Sequence, residues 1–263
     1  MSQLTLLAAK DVSKRFGGVQ ALADVSFTIN RGEIYGLIGP NGAGKTSLFN
    51  VLTGIYAPNS GTFTFDGEPL DGLKPNDVAE RGIARTFQNI RLFQNLSALE
   101  NVMIGRHVRS KAGVFGAILR DKRTLAEEAA IEKRSYELLE YVGVSKRAND
   151  LAKHLAYGDQ RRLEIARALA TEPKLLALDE PAAGMNATET KSLKSLLEDI
   201  RRDGTTILLI EHDMKLVMSV CDRVLVLDYG KKIAEGSAAD VQNDPKVIAA
   251  YLGGEVTLDL KGA

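Results

Sequence analysis

The sequence predicts an α/β fold with a mostly parallel central sheet, and three features lead to this prediction. Apolar runs of strand length occur at 34–38 and 175–178. Residues 193–200 repeat leucine and isoleucine with the period of one helical face. A glycine-rich segment follows the first strand and precedes an apolar stretch, 47–52, that favours a helix. Strand, helix and strand in this order are typical of βαβ units, whose strands run parallel.

The other elements follow from local patterns. Apolar and polar residues alternate at 25–29 and again at 63–65, as in strands with one buried face. The segment 100–144 favours helix, and we expect its dense charges at 120–134 to form a solvated helix face. Two further strands are predicted at 205–210 and 224–227, and a last helix at 244–252.

Composition narrows the possible functions. The 263 residues could form one large domain or two small ones, and 34 basic residues balance 34 acidic ones. Because nucleic-acid-binding proteins normally carry a basic excess, this balance argues against a nucleic-acid partner. The one cysteine, Cys221, is expected to be a buried apolar side chain in a reducing compartment. We expect neither a membrane span nor a signal peptide, since the apolar run 4–9 is short and lacks a basic leader.

The strongest functional signal is the segment 39–46, which fits the pattern G-x-x-x-x-G-K-[ST]. It lies between a predicted strand and a predicted helix, the context in which this pattern forms a phosphate-binding loop. Glycines let the backbone wrap around a polyphosphate, and the helix N-terminus directs N–H groups at the anion. Lys45 is expected to reach the β- and γ-phosphates, and the Thr46 hydroxyl to bind Mg²⁺. The structural alternative is a glycine-rich hairpin.

A second signal is the apolar strand 175–178, which ends in Asp179 and Glu180. In α/β proteins ligands bind at the carboxyl ends of parallel strands, where these carboxylates would lie. Asp179 is expected to hold Mg²⁺, and Glu180 to act as the general base for an attacking water. Alone the pattern is weak, because an acidic strand end followed by Pro181 also suits a turn. Together with the phosphate loop, it indicates a P-loop NTPase.

Further motifs resemble those of ABC ATPases and occur in that family's order along almost the whole chain. The segment 155–162, LAYGDQRR, resembles the ABC signature sequence. Gln88 matches the glutamine of the Q-loop, and His212 matches the switch histidine. Residues 183–186 fall where the family has its D-loop, and Phe16 falls where it stacks an aromatic ring on adenine.

This resemblance implies a fold and a division into lobes. The fold would be a P-loop NTPase of the ABC type, with a mostly parallel core, an N-terminal antiparallel β subdomain and a helical subdomain. The single ATPase domain, 1–263, would comprise a core and β lobe at about 1–87 and 160–252, a helical lobe at about 88–159 and a tail at 253–263.

The resemblance also implies the cofactors, ATP and Mg²⁺, and the residues that bind them. The implied catalytic residues are Glu180, His212, Gln88 and Lys45. The implied metal-binding residues are Thr46, Gln88 and Asp179. The implied nucleotide-binding residues are Phe16, Gly39, Pro40, Asn41, Gly42, Ala43, Gly44, Lys45, Thr46, Ser47, Ala156, Tyr157 and Gly158.

ABC ATPases work as head-to-tail dimers, so the signature of one protomer is expected to meet ATP on the phosphate loop of the other. A helix beginning near Gly158 would direct its N-terminus at the γ-phosphate. Ala156 replaces the usual serine, whose charge-assisted hydrogen bond would contribute about 1.5–3 kcal/mol. Ala-Tyr-Gly is familiar among branched-chain amino-acid transporter ATPases, as is Asn186 in the D-loop. We expect Asp159 to face away from ATP, because its carboxylate would repel the phosphates.

Three more segments, 85–93, 180–186 and 228–236, resemble the same subgroup. The implied function is an importer ATPase at the cytoplasmic face of the inner membrane. Its implied partners are integral membrane subunits, a second ATPase subunit (self or paralogue) and, indirectly, a periplasmic solute-binding protein. Ile90, Leu92 and Phe93 are expected either to line a groove for a helix of the membrane subunit or to belong to the core.

Two other functions remain open at this point. One is an ABC ATPase for another cargo, such as another amino acid, an amide, urea or an exported lipid, because the cargo does not touch this subunit. The other is a soluble ABC ATPase of DNA repair or translation. Such proteins typically carry a long coiled-coil insertion or two ATPase units, and the sequence has neither.

Overall fold

The computed structural model describes residues 4–106 and 122–252, and the predicted α/β fold is confirmed there. The predicted tail, 253–263, and part of the charged segment 120–134 lie outside the described residues. The strands are β1 (Thr5–Phe16), β2 (Val19–Asn30), β3 (Ile34–Ile38), β4 (Ser60–Phe65), β5 (Glu68–Pro69), β6 (Ile83–Arg85), β7 (Leu175–Asp179), β8 (Thr206–Ile210), β9 (Arg223–Asp228) and β10 (Lys231–Gly236). The helices are α1 (Lys45–Leu52), α2 (Pro75–Arg81), α3 (Ala98–Arg106), α4 (Lys122–Tyr141), α5 (Tyr157–Leu169), α6 (Ala187–Arg202), α7 (Met214–Val220), α8 (Ala238–Gln242) and α9 (Pro245–Leu252).

The chain forms two compact units, and the first comprises Met1–Val78 with Leu197–Ala263. One of its sheets is antiparallel, with the strand order β2-β1-β4-β5. Its register places Val12 opposite Val25 and Ala9 opposite Phe63. The alternation seen in the sequence buries Phe63 and Phe65 and leaves intervening residues more accessible. This sheet is the predicted antiparallel β subdomain.

The other sheet of the first unit has β3 between β8 and β9, and both pairings are parallel. β10 adds antiparallel to β9 at the edge. All five residues of β3 and all five of β8 are buried, which explains why their sequences are almost entirely apolar. Cys221 is buried against Gly36, and burial raises the pKa of its thiol to about 12. It is therefore the buried apolar side chain that the sequence predicts.

The second unit comprises Ala79–Leu196. It contains the parallel pair β6 and β7, in which Ile83 is opposite Leu175. Helices α3, α4 and α5 pack together through residues such as Val102, Leu139 and Leu163, all of them fully buried. The predicted helical segment, 100–144, contains α4 and most of α3, which begins two residues earlier at Ala98. Within the described ranges, no helix is long and apolar enough to cross a membrane.

Candidate active site

The phosphate loop of the first unit connects β3 to α1 and is shaped by glycines with backbone angles that other residues avoid. Gly44, directly before α1, has φ +101°. A Cβ atom there would lie 2.6 Å from the Ala21 carbonyl oxygen, so a side chain has no room. Neighbouring backbone supports the loop, because the Gly230 N–H donates to the Ala43 carbonyl at 2.9 Å. The loop therefore depends on both β2 and the β9–β10 turn.

Gly44→Ala is expected to lower the free energy of unfolding by about 2 kcal/mol or more and to weaken nucleotide binding, because it combines left-handed strain with a backbone clash. Urea denaturation would measure the change. Gly18→Ala is the matched control, since no atom lies within 4 Å of the added Cβ and its φ is not positive. It should stay within about 0.5 kcal/mol of the parent. Equal stability of the two variants would contradict this account of the loop.

Lys45 is the first residue of α1 and is only 8% exposed. Its Nζ donates to the carbonyl of Gly39 at 2.6 Å and to that of Pro40 at 3.0 Å. These bonds hold the ammonium group against the loop to which it belongs. The loop also presents accessible groups, since Asn41 and Thr46 are exposed. The arrangement can present one cation and several N–H groups to an anion.

Two other predicted site residues belong to the first unit. Phe16 ends β1, is 41% exposed and meets Tyr56 edge to face with ring centroids 5.1 Å apart. The Lys14 ammonium lies over both rings. His212 follows β8 and is exposed. Its backbone N–H donates to the carboxylate of the fully buried Glu211. Tyr56 was not predicted, because nothing local in the sequence connects it with Phe16.

In the second unit, the end of β7 carries the predicted acidic pair. Asp179 is 4% exposed, and its N–H donates to the Thr86 hydroxyl at 3.3 Å. Thr86 in turn donates its own N–H to the Ala177 carbonyl, which extends the β6–β7 pairing to the site. Burial lowers the pKa of Arg85 to about 10, and the charge of Asp179 opposes this shift. Arg85 thus stays protonated at neutral pH beside the carboxylate.

The structure brings Gln88 and Glu180 together. The amide Nε2 of Gln88 donates to Glu180 Oε2 at 2.9 Å. Glu180 has φ +49°, a left-handed conformation that is uncommon for a residue with a side chain. Since Nε2 is the atom that hydrogen-bonds to Glu180, the amide oxygen of Gln88 is the atom that could bind a cation.

The signature segment forms the start of α5, with Ala156 at the N-cap and Tyr157 and Gly158 in the first turn. The ring of Tyr157 packs against Gly184 in the loop after Glu180. The carboxylate of Glu189 lies beside Gly158, where an added Cβ would be 2.8 Å from Oε1. Glu189 also accepts a hydrogen bond from the N–H of Asn186, whose side chain caps α6. The signature and D-loop segments therefore contact each other within this unit.

Of the apolar residues that follow Gln88, Leu92 is 8% exposed and Phe93 is 50% exposed. Leu92 thus belongs to the core, whereas Phe93 is accessible. Arg161, for which no role is predicted, donates hydrogen bonds to the carbonyls of Phe87 and Gln88. The sequence shows Arg161 and Glu164 three residues apart, a spacing that places two charged residues on one helical face. It does not show that this face is buried.

Known protein families provide the deciding comparison. Residues 22–183, more than half of the chain, match the family model described as ABC transporter. The chain belongs to the ABC transporter family. It is an ABC ATPase, which binds and hydrolyses ATP, and ATPase subunits of this kind work with membrane subunits in a transporter complex. A second model, described as branched-chain amino acid ATP-binding cassette transporter, matches residues 231–257.

Several curated proteins resemble this ABC ATPase over almost their full length. The high-affinity branched-chain amino acid transport ATP-binding protein LivG of Salmonella typhimurium is 47% identical, over 96% of this chain and 99% of its own. BraF of Pseudomonas aeruginosa, which carries the same description, is 42% identical over 94% and 98%. The lipopolysaccharide export system ATP-binding protein LptB of Haemophilus influenzae is 34% identical over 97% and 100%.

Solved structures agree with this family membership. The ADP conformation of MJ1267, an ATP-binding cassette of an ABC transporter, is 32% identical, with a TM-score of 0.83 over 95% of this chain and 99% of its own. A nucleotide-free ATP-binding cassette is 31% identical, with a TM-score of 0.82 over 94% and 99%. The predicted ABC-type fold is therefore confirmed.

Proposed function

We propose that this ABC ATPase powers the uptake of branched-chain amino acids from the cytoplasmic face of the inner membrane. The observation that supports this choice of cargo is the similarity of the protein to LivG along almost the whole length of both chains. In this proposal it is a peripheral subunit that binds integral membrane subunits and pairs with a second ATPase subunit, itself or a paralogue. A periplasmic solute-binding protein would deliver the amino acid to the membrane subunits.

The proposed nucleotide site uses the phosphate loop for the phosphates and Phe16 for adenine. Lys45 would exchange its two carbonyl contacts for the β- and γ-phosphate oxygens, which are stronger acceptors because they are charged. The exposed faces of Phe16 and Tyr56 would pack on the base, and Lys14 beside them would favour an anionic ligand. Residues 39–47 would supply the remaining N–H and hydroxyl contacts.

The proposed Mg²⁺ ligands are Thr46, Gln88 and Asp179. Hydroxyl, amide and carboxylate oxygens are the hard donors that Mg²⁺ prefers, and three of them leave coordination positions for nucleotide oxygens and water. The orientation of Gln88 supports this role, since its nitrogen is the atom bonded to Glu180. The ion would neutralise phosphate charge as the γ-phosphoryl group is transferred.

Hydrolysis is assigned to Glu180 as the general base, with Gln88 and His212 as groups that position water and respond to the γ-phosphate. The 2.9 Å hydrogen bond from Gln88 supports this assignment, because it holds the Glu180 carboxylate in one orientation. A carboxylate at the end of a parallel strand is well placed to accept a proton from an attacking water.

The proposed dimer places ATP between the phosphate loop of one protomer and the α5 N-terminus of the other. Ala156, Tyr157 and Gly158 would contact the γ-phosphate through backbone N–H groups. Asp159 would face away from it.

The proposed functional division is into a core and β lobe, about 1–87 and 160–252, and a helical lobe, about 88–159. Closure would then need the γ-phosphate, and hydrolysis would release it.

Contact with the membrane subunit is assigned to the segment after Gln88. Phe93 is half exposed and Ile90 is partly accessible, whereas Leu92 is excluded from this surface by its burial. A movement of Gln88 would be passed to these neighbouring residues along the chain.

A different cargo is the second candidate, and the similarity to LptB favours it. That relative is 34% identical and is named for lipopolysaccharide export. Its lower identity than that of LivG supports the amino-acid proposal, since cargo can be inferred for this subunit only by resemblance.

Uptake of labelled leucine tests the proposal directly. Cells that lack this chain are complemented with the wild type or with Glu180→Gln. We expect the wild type to restore uptake and the variant to leave it at the level of the deletion strain, because transport needs hydrolysis. Normal leucine uptake in the deletion strain would overturn the cargo assignment, and the same cells would then be screened with other amino acids, amides and urea.

A further inference from the structure

The buried face of α5 carries charged side chains at Arg161, Glu164 and Arg167, three residues apart, where apolar side chains would normally pack. Arg161 is 3% exposed and Glu164 is 1% exposed. Since buried charges are costly unless they are paired and hydrogen-bonded, such a row needs partners. Its partners lie mainly in the segment that follows β6 and contains Gln88 (87–91).

Arg161 joins three groups through one planar side chain. Its Nη1 donates to the Phe87 carbonyl at 2.9 Å, and its Nη2 donates to the Gln88 carbonyl at 2.5 Å. Nη2 and Nε also donate to the Tyr157 hydroxyl, at 2.9 and 3.2 Å. Only a guanidinium offers this fixed fork of donors. The first turn of the signature helix and the backbone of Gln88 are therefore attached to the same rigid group.

Glu164 and Arg167 hold the other end of the segment. The N–H of Arg91 donates to Glu164 Oε1 at 3.1 Å, and Arg167 Nη1 donates to the Arg91 carbonyl at 2.6 Å. Burial raises the pKa of Glu164, while the bond from Arg91 and the charges of Arg167 and Arg161 oppose that shift. The segment is thus bound to α5 at both ends, and its Gln88 side chain extends to Glu180.

We propose that Arg161 is a positioning residue. When a ligand contacts the signature turn, which is the first turn of α5, Arg161 passes the resulting change in position to the Gln88–Glu180 pair of the same chain. This inference rests on the proposed function. In a head-to-tail dimer, the signature turn and Gln88 of one chain serve different ATP molecules. Arg161 therefore couples the two ATP sites, and its loss should reduce turnover and cooperativity more than nucleotide binding.

Arg161→Lys is the decisive variant, because it keeps the buried positive charge beside Glu164 and removes the fork. Arg106→Lys is the matched control. Arg106 is also partly buried in the second unit and paired with a carboxylate, that of Glu172, but among the described residues it makes no hydrogen bond or ion pair with segment 87–91. Tyr157→Phe removes only the hydroxyl that Arg161 binds. The full-length proteins would be compared by kcat, KM and the Hill coefficient for ATP, by binding of a fluorescent ATP analogue and by Tm.

For Arg161→Lys we expect kcat to fall by about 10- to 100-fold, because small displacements of catalytic groups have effects of this size. Analogue affinity should stay within about twofold, and the Hill coefficient should approach one. Tyr157→Phe should lower the Hill coefficient with a smaller loss of kcat. The inference is wrong if Arg161→Lys retains the kcat and Hill coefficient of Arg106→Lys. It is also wrong if weaker analogue binding or a lower Tm fully explains the lower activity of Arg161→Lys. Failure of the wild type to restore leucine uptake, with these differences between the variants intact, would instead contradict the proposed function alone.

Discussion

Glu180→Gln is expected to bind ATP with unchanged affinity and to hydrolyse it about 10²- to 10⁴-fold more slowly, because a general base contributes about this much. The amide keeps the shape of the side chain and an oxygen that can accept the hydrogen bond from Gln88. It loses the basicity needed to take a proton from water. With hydrolysis blocked, ATP should hold two protomers together, so light scattering should detect a dimer with ATP and Mg²⁺ and a monomer with ADP.

Glu172→Gln is the matched control for this variant. Glu172 lies in the same unit and shares the left-handed backbone, with φ +50°, but its half-exposed side chain pairs with Arg106. The control should hydrolyse ATP at nearly the rate of the wild type and should form no stable dimer. Turnover near the wild-type rate in Glu180→Gln would remove Glu180 as the base.

Lys45→Met should reduce ATP affinity by at least about tenfold and abolish measurable hydrolysis. One charge-assisted hydrogen bond contributes about 1.5–3 kcal/mol, and Lys45 is proposed to make such bonds to two phosphates. Methionine fills much of the same space, so the loop should keep its shape except for the contacts to Gly39 and Pro40. Titration with a fluorescent ATP analogue and a phosphate-release assay would measure both effects.

Lys10→Met serves as the control for the lost charge. Lys10 is exposed on β1 of the same unit and is not part of the phosphate loop. Its substitution should leave affinity and turnover within about twofold, since surface substitutions rarely matter by more than ±0.5 kcal/mol. If Lys45→Met bound ATP as tightly as Lys10→Met, the assigned contact between Lys45 and the phosphates would be wrong.

The buried strands that precede the two strongest motifs could be predicted because their signals are local. β3 has the bounds predicted from its apolar run, and β7 extends one residue past its predicted end. A strand buried on both faces is apolar along most of its length, so a short continuous apolar run marks most of its extent. The loop residues are contiguous, and their spacing alone identifies the chemistry.

The contacts of α5 could not be predicted, because they join residues distant in sequence. Arg161 and the carbonyl of Phe87 are 74 positions apart, and no local pattern connects them. A charged residue in a helix is usually read as solvent-facing, and only the fold reveals that Arg161 and Glu164 are buried. The different exposures of Leu92 and Phe93 were unreadable for the same reason, since both are apolar residues of one loop.

The position of β3 has a consequence for synthesis of the chain on the ribosome. Both strands that flank β3, namely β8 and β9, come from the last third of the sequence, and Gly230 supplies the hydrogen bond to Ala43. Because translation proceeds from the N-terminus, residues 39–46 emerge long before these supports exist. A nascent chain therefore carries the complete nucleotide-binding motif without a folded loop. It gains that loop only after translation has passed residue 230.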